Sequence, residues 1–163
     1  MNKSYERIKN FSTQISVEKT IAEIEKMLAK YGATRIMKEY DNNGNPITLI
    51  FAIMTVHGEI PIRLPVNITR ILDIFKIQVS NKKLPRKFWG TEWSTEQASR
   101  VGWRIIKDWL DAQLTLLNIE MVKVEQIFLP YIYNDKLKMT LYEMIEKHKF
   151  NLDLLNPPNE ETT

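Results

Sequence analysis

The sequence predicts an α+β domain, in which a three-stranded antiparallel meander packs against an N-terminal helix and a long C-terminal helix. Three observations predict it. Residues 17–31 repeat their apolar side chains at helical spacing. From Thr34 to Pro65 the period changes to two, with turn residues interrupting it twice. A second helical pattern then covers residues 95–128. Five glycines in the whole chain argue against a loop-rich or all-β architecture.

Residues 1–15 are polar with scattered apolar positions and read as a flexible lead-in. Ser16 caps the first helix, and Glu18 lies in its first turn, where a negative charge favours the positive helix end. Val17, Ile21, Ile24, Leu28 and Tyr31 make one apolar stripe, and Gly32 stands at the left-handed cap position. Ile36, Lys38 and Tyr40 then alternate with Arg35, Met37 and Glu39. Residues 41–46 are a dense turn cluster in which Asn43-Gly44 suits positive φ. Residues 47–56 are apolar on both faces apart from Thr48 and Thr55, which marks a central strand. After a turn at His57-Gly58-Glu59, Ile60, Ile62 and Leu64 alternate with Pro61, Arg63 and Pro65. Proline has no N–H to give a ladder, so this strand belongs at an edge.

Asn67 caps a short helix carrying Ile68, Ile71, Leu72 and Phe75 at core spacing. Residues 80–93 read as a loop, long for a compact domain. Ser94 and Gln97 have capping-box spacing and open the longest helix, which Pro130 stops. Thr140 and Glu143 form a second capping box, opening a helix that ends near Lys149. The single domain thus spans 16–149, and 150–163, with Pro157 and Pro158, reads as a flexible tail.

Composition narrows the function. An apolar share of 44% and a charged share of 26% fit a soluble globular protein. The chain has no cysteine, so disulfides, thiolate zinc sites and cysteine nucleophiles are excluded. The first residues lack a signal-peptide core and no apolar run is long enough to span a membrane, so the expected location is cytoplasmic. Glycine is too scarce for a phosphate-binding loop, and no nucleophile elbow occurs. His57 and His148 each stand alone and read as structural or incidental. The carboxylates Glu39, Asp41, Glu59, Asp108, Asp111, Glu120 and Glu125 form no convergent set. Arg104 with Asp108, and Lys107 with Asp111, have the i,i+4 spacing of surface ion pairs. No catalytic residue, metal or cofactor is implied.

The distinctive feature is a basic, aromatic stretch. All four tryptophans lie between Trp89 and Trp109. From Lys76 to Lys107 eight basic residues face two acids, while the whole chain carries only +3, so the remainder is net negative. Cations interleaved with flat rings suit a nucleic-acid strand, because phosphates take the charge and bases stack on the rings. The candidate contacts are Lys82, Lys83, Arg86, Lys87, Phe88, Trp89, Trp93, Arg100, Trp103, Arg104 and Lys107. Phe88 and Trp89 have two readings, an exposed stacking platform or a plug folded into the core. On the long helix Val101, Ile105 and Trp109 share a face, which assigns Trp109 to the core. Trp103 lies beside the edge formed by Arg100, Arg104 and Lys107. Gly102, in mid-helix, costs about 1 kcal/mol relative to alanine and marks the close approach of another backbone. Leu110, Leu114, Leu117, Met121, Val124 and Phe128 form a second stripe, covered either by the C-terminal helix or by another subunit.

The strings Ile62-Arg63-Leu64-Pro65, residues 98–109 (Ala-Ser-Arg-Val-Gly-Trp-Arg-Ile-Ile-Lys-Asp-Trp), Gln113 and Phe128-Leu129-Pro130-Tyr131 resemble those of a family of uncharacterised bacteriophage and prophage proteins. The resemblance also takes in the helix Val17–Tyr31 with Gly32-Ala33 behind it, and covers most of residues 16–145. It implies a phage setting and assigns no site residues. By predicted topology alone, a meander backed by a long helix is similar to Rad52-like strand-annealing proteins.

The expectation is therefore a non-enzymatic nucleic-acid-binding protein of phage-type replication or recombination, with single-stranded DNA as partner. One alternative is an interaction module, including a homo-oligomer, that uses the long helix. Another is a metal-dependent nuclease.

Overall fold

The computed structural model describes residues 6–150. Its elements are α1 (Val17–Lys30), β1 (Ala33–Tyr40), β2 (Pro46–Thr55), β3 (Gly58–Arg63), α2 (Ile68–Ser80), α3 (Glu92–Asn118), α4 (Val124–Phe128), β4 (Tyr133–Asn134), β5 (Met139–Thr140) and α5 (Leu141–Lys147). Strands β1, β2 and β3 form an antiparallel sheet in sequence order, which is the expected meander. Phe51 of the central strand pairs with Ile36 on one side and Ile62 on the other. Pro61 sits in the edge strand β3, whose outer side makes a single bridge, Ile62 to Ile132, so its missing N–H interrupts no continuous ladder there. Among the described residues, no helix is long and apolar enough to cross a membrane.

Side-chain caps set the helix starts. Ser16, Asn67 and Thr140 accept from the backbone N–H groups of Lys19, Arg70 and Glu143. Helix α3 begins earlier than expected. Its cap is Thr91, in a reciprocal capping box with Ser94, so Trp93 lies within the first turn. The connection between α2 and α3 is correspondingly shorter than residues 80–93, and a single 3-10 turn (Arg86–Phe88) occupies its middle.

Helix α3 also ends earlier than expected, at Asn118. The stop is neither a glycine nor Pro130. Glu120 adopts φ 57°, and the N–H groups of Glu120 and Met121 donate to Leu117 O and Leu116 O. Those two bonds are a Schellman cap with a non-glycine residue at its left-handed position. The reversal returns Val124 and Phe128 to the sheet as part of α4, with Phe128 edge-on to Phe51 at 5.5 Å. The second stripe is thereby divided. Leu110 and Leu114 are core residues, Phe128 reaches the core from α4, and Met121 is exposed.

Two cores result, and α3 joins them. The larger holds Ile24 and Leu28 of α1, Leu49, Phe51 and Ile62 of the sheet, and Trp103, Ile106, Leu110 and Leu114 of α3. The smaller holds Phe75 of α2, Leu84, Phe88, and Ala98 and Val101 of α3, with Ile8 and Phe11 packed against it. Helices α2 and α3 cross at Gly102, where an added Cβ would meet Ile68 Cδ1 at 2.6 Å. The close approach read from Gly102 is thus made by side chains of a neighbouring helix rather than by a backbone.

Candidate nucleic-acid interface

The basic loop is presented by a rigid frame. Helix α2 ends in a second Schellman cap, with Lys82 at φ 56° and the N–H groups of Lys82 and Lys83 donating to Val79 O and Gln78 O. Leu84 and Phe88 are both buried and pin the loop to the smaller core. Phe88 stands edge-on to Phe75 at 5.1 Å and to Trp93 at 4.9 Å, and 6.2 Å from Phe11. It is a plug, which corrects its reading as a stacking surface. Arg86 and Lys87, on the turn between the two anchors, remain exposed.

Trp89, in contrast, keeps 38% of its surface exposed. Arg86 lies 4.8 Å and Lys76 5.3 Å from its ring centroid, and Arg86 Nη1 donates to Trp89 O. Trp93 is half-buried, with Lys87 Nζ 4.5 Å from its ring centroid. These cation–π contacts hold each cation over a ring.

Trp103 is the clearest correction. It has no exposed surface, and its Nε1 donates to Pro46 O at 3.2 Å. The physical reason is that α3 is packed on two sides. The line Trp103, Ile106, Leu110 and Leu114 faces the larger core, while Ala98 and Val101 face the smaller one. Trp109 is only half-buried, edge-on to Phe128 and Tyr131.

The three helix cations are spent on acids. Arg104 bridges to Glu23 of α1 at 2.6 Å. Lys107 lies 3.8 Å from Asp111, and Arg100 lies 3.4 Å from Glu96 and 3.2 Å from Gln97 Oε1. Among the described residues, Arg7, Lys76, Lys82, Arg86 and Lys87 have no carboxylate partner. The uncompensated charge is therefore on the loop side, not along the α3 edge.

Residues 6–15, expected to be a flexible lead-in, form one wall of this face. Two buried glutamines hold them. Gln78 accepts from Ile8 N and donates to Glu6 O, and Gln97 donates to Phe11 O and Thr13 O. Asn10 and Lys9 both bind Asp108, at 3.0 Å each. Burial of Asp108 works against its ionised form, but Asn10, Lys9 and the nearby Lys107 outweigh that and hold its carboxyl below the ordinary value. Arg7 Nε donates to Lys83 O, and the Arg7 guanidinium lies 5.4 Å from the Phe11 ring centroid.

A groove of about 620 Å³ opens between this wall, the loop and the start of α3, lined by Arg7, Phe11, Lys87, Trp93, Gln97 and Arg100 among others. The structure thus brings Lys87, Trp93 and Arg100 together and leaves Arg104, Lys107 and Trp103 out. Arg7 and Phe11 were missed because nothing at their own positions marks them. The available clue was Gln78, a polar residue one turn beyond Phe75 on a buried helix face, which needs polar partners from elsewhere in the chain.

His57 and His148 are both exposed. Among the described residues, no group of three or more His, Asp or Glu side chains is placed to hold a metal ion. The chain matches no family model, no curated protein and no solved structure.

Proposed function

We propose that the protein binds single-stranded nucleic acid, preferably DNA, across the groove between residues 7–14, the Lys82–Lys87 loop and the start of α3. One observation carries the reading. Arg7 and Lys87, neither with a carboxylate partner among the described residues, line a groove that also displays the half-buried Trp93, and Lys82 and Arg86 line the concavity beside it. Phosphates would meet Arg7, Lys82, Arg86 and Lys87, with Arg100 and its partner Glu96 at the end of the groove, and an unstacked base would lie on Trp93. The setting is phage-type replication or recombination, supported by the sequence strings that resemble phage-encoded proteins.

The test is fluorescence anisotropy of a labelled oligothymidylate, titrated at several salt concentrations. Contact with about three to five phosphates gives a slope of log affinity against log salt of roughly −2 to −3.5, at 0.7 per phosphate for a single strand. Lys87→Glu weakens binding, whereas Arg104→Ala and Lys107→Ala leave it unchanged. Absence of binding at low salt, or a flat salt response, removes the proposal.

A second reading rests on a different surface. Met54 and Val56 (93% exposed) line a groove with Ile53, Leu117 and Val122 at the far end of α3, and Ile119 and Met121, exposed as well, lie in the chain between Leu117 and Val122. Exposed apolar side chains gathered in this way suit self-association.

A further inference from the structure

We propose that the bound strand follows one short, bounded track that starts at Lys82 and Arg86, turns past Arg7 and ends at Arg100 beside Trp93. This rests on the nucleic-acid reading above and narrows the ligand to an unpaired segment of a few nucleotides.

Two concavities make the track. One is the groove already described, and the other runs beside Lys82, Lys83 and Arg86. They are contiguous because both are lined by Arg7 and Pro85. Arg7 therefore stands at the junction, fixed there by its bond to Lys83 O at 3.1 Å. A strand crossing from one concavity to the other passes its guanidinium.

Charge ends the track at the other side. Arg100 also lines a further concavity, but Glu18 and Glu96 line that one as well. Two carboxylates repel the next phosphate, and Glu96 already engages Arg100 at 3.4 Å. From Trp93 to Arg100 the helix rises about 10 Å at 1.5 Å per residue, which is room for one or two nucleotides. With the loop concavity added the occluded length is roughly four nucleotides, at the lower limit for single-strand-binding folds. In a duplex each base turns its faces to its neighbours. Only an unstacked base offers a face to Trp93.

The experiment is a length series of labelled oligothymidylates, from dinucleotide to dodecamer, titrated against the full chain at low salt. Affinity is expected to climb up to roughly the tetramer to hexamer and then to level. Arg7→Gln is expected to weaken the plateau oligonucleotides about tenfold, the loss of one bond to a charged group, while changing the dinucleotide less than the longer strands. Removing both terminating charges, Glu18→Gln with Glu96→Gln, is expected to tighten binding and move the plateau to longer strands. A plateau already reached by the dinucleotide overturns the track. So does a duplex that binds as tightly as a single strand of equal length, or an Arg7→Gln variant that binds every length as the parent does. Each of these results leaves nucleic-acid binding itself standing. Failure of every oligonucleotide to bind removes the underlying reading instead.

Discussion

Trp103 shows how a residue that looks functional in a charged neighbourhood becomes structural. Its indole fills the space between α1, the sheet and α3, and its one polar atom is satisfied by Pro46 O. Trp103→Ala is expected to cost about 3–5 kcal/mol, from lost burial plus the cavity left behind. Trp103→Phe keeps most of the volume but strands the Pro46 carbonyl, and is expected to cost about 1–3 kcal/mol. Denaturant unfolding of both variants checks the order. If Trp103→Ala lost less than the phenylalanine variant, the indole would not be filling the core. At Phe88 and Trp89 adjacent rings divide the same way, one pinned among Phe75, Trp93 and Phe11, the other left at the surface under Arg86 and Lys76. Sequence alone left that choice open, because the burial of either ring depends on where α2 and residues 6–15 pack.

At the scale of elements, local chemistry was legible and long-range packing was not. Ser16, Asn67, Thr140 and the hairpin turns each act on neighbours within a few residues, so their roles were readable. The turn between β1 and β2 was read with one error. Of Asn43 and Gly44 only Gly44 has positive φ, and Asp41 Oδ1 organises the loop by accepting from Asn43 N and Asn45 N. The end of α3 was misplaced because the left-handed cap at Glu120 uses glutamate instead of glycine. The N-terminal segment was missed for a different reason. Its anchors, Gln78 and Gln97, lie more than 65 residues away along the chain.

That segment carries a pH dependence. The folded-state pKa of Asp108 is lowered, so its contribution is complete above the unfolded carboxylate value and is lost as pH falls through the folded one. Residues 9 and 10 are expected to loosen on acidification before the domain unfolds. Hydrogen exchange at the Thr13 amide, which donates to Asn10 O, reports this directly. Asp108→Asn should remove the acid dependence. If Thr13 protection fell only with global unfolding in both proteins, the tether would not be acting through Asp108.

For the whole molecule, α3 is both mechanical link and divider. At 27 residues it is about 40 Å long, joins the two cores, and separates a basic end from an apolar one. The positive stretch was legible as composition. Its division into ion-paired cations along α3 and the loop cations Lys82, Arg86 and Lys87, which have no carboxylate partner among the described residues, was not, because Glu23, the partner of Arg104, comes from α1. The apolar end gives a prediction of its own. Sedimentation velocity across a range of concentrations is expected to detect self-association, and Val56→Glu with Met121→Glu should abolish it without disturbing oligonucleotide binding. A parent chain that sediments as a monomer at every concentration rules that contact out.

The hydrogen-bonded cap at Lys82 and the two buried anchors, Leu84 and Phe88, have a consequence for rates. A basic loop on a mobile tether must be ordered each time it captures a ligand, and pays for that in slow association and lost entropy. Here the backbone is already fixed on both sides of Arg86 and Lys87. A strand approaching this face would meet charges in their final positions. Electrostatic steering would then set the encounter rate, and added salt would act chiefly by slowing arrival rather than by hastening departure.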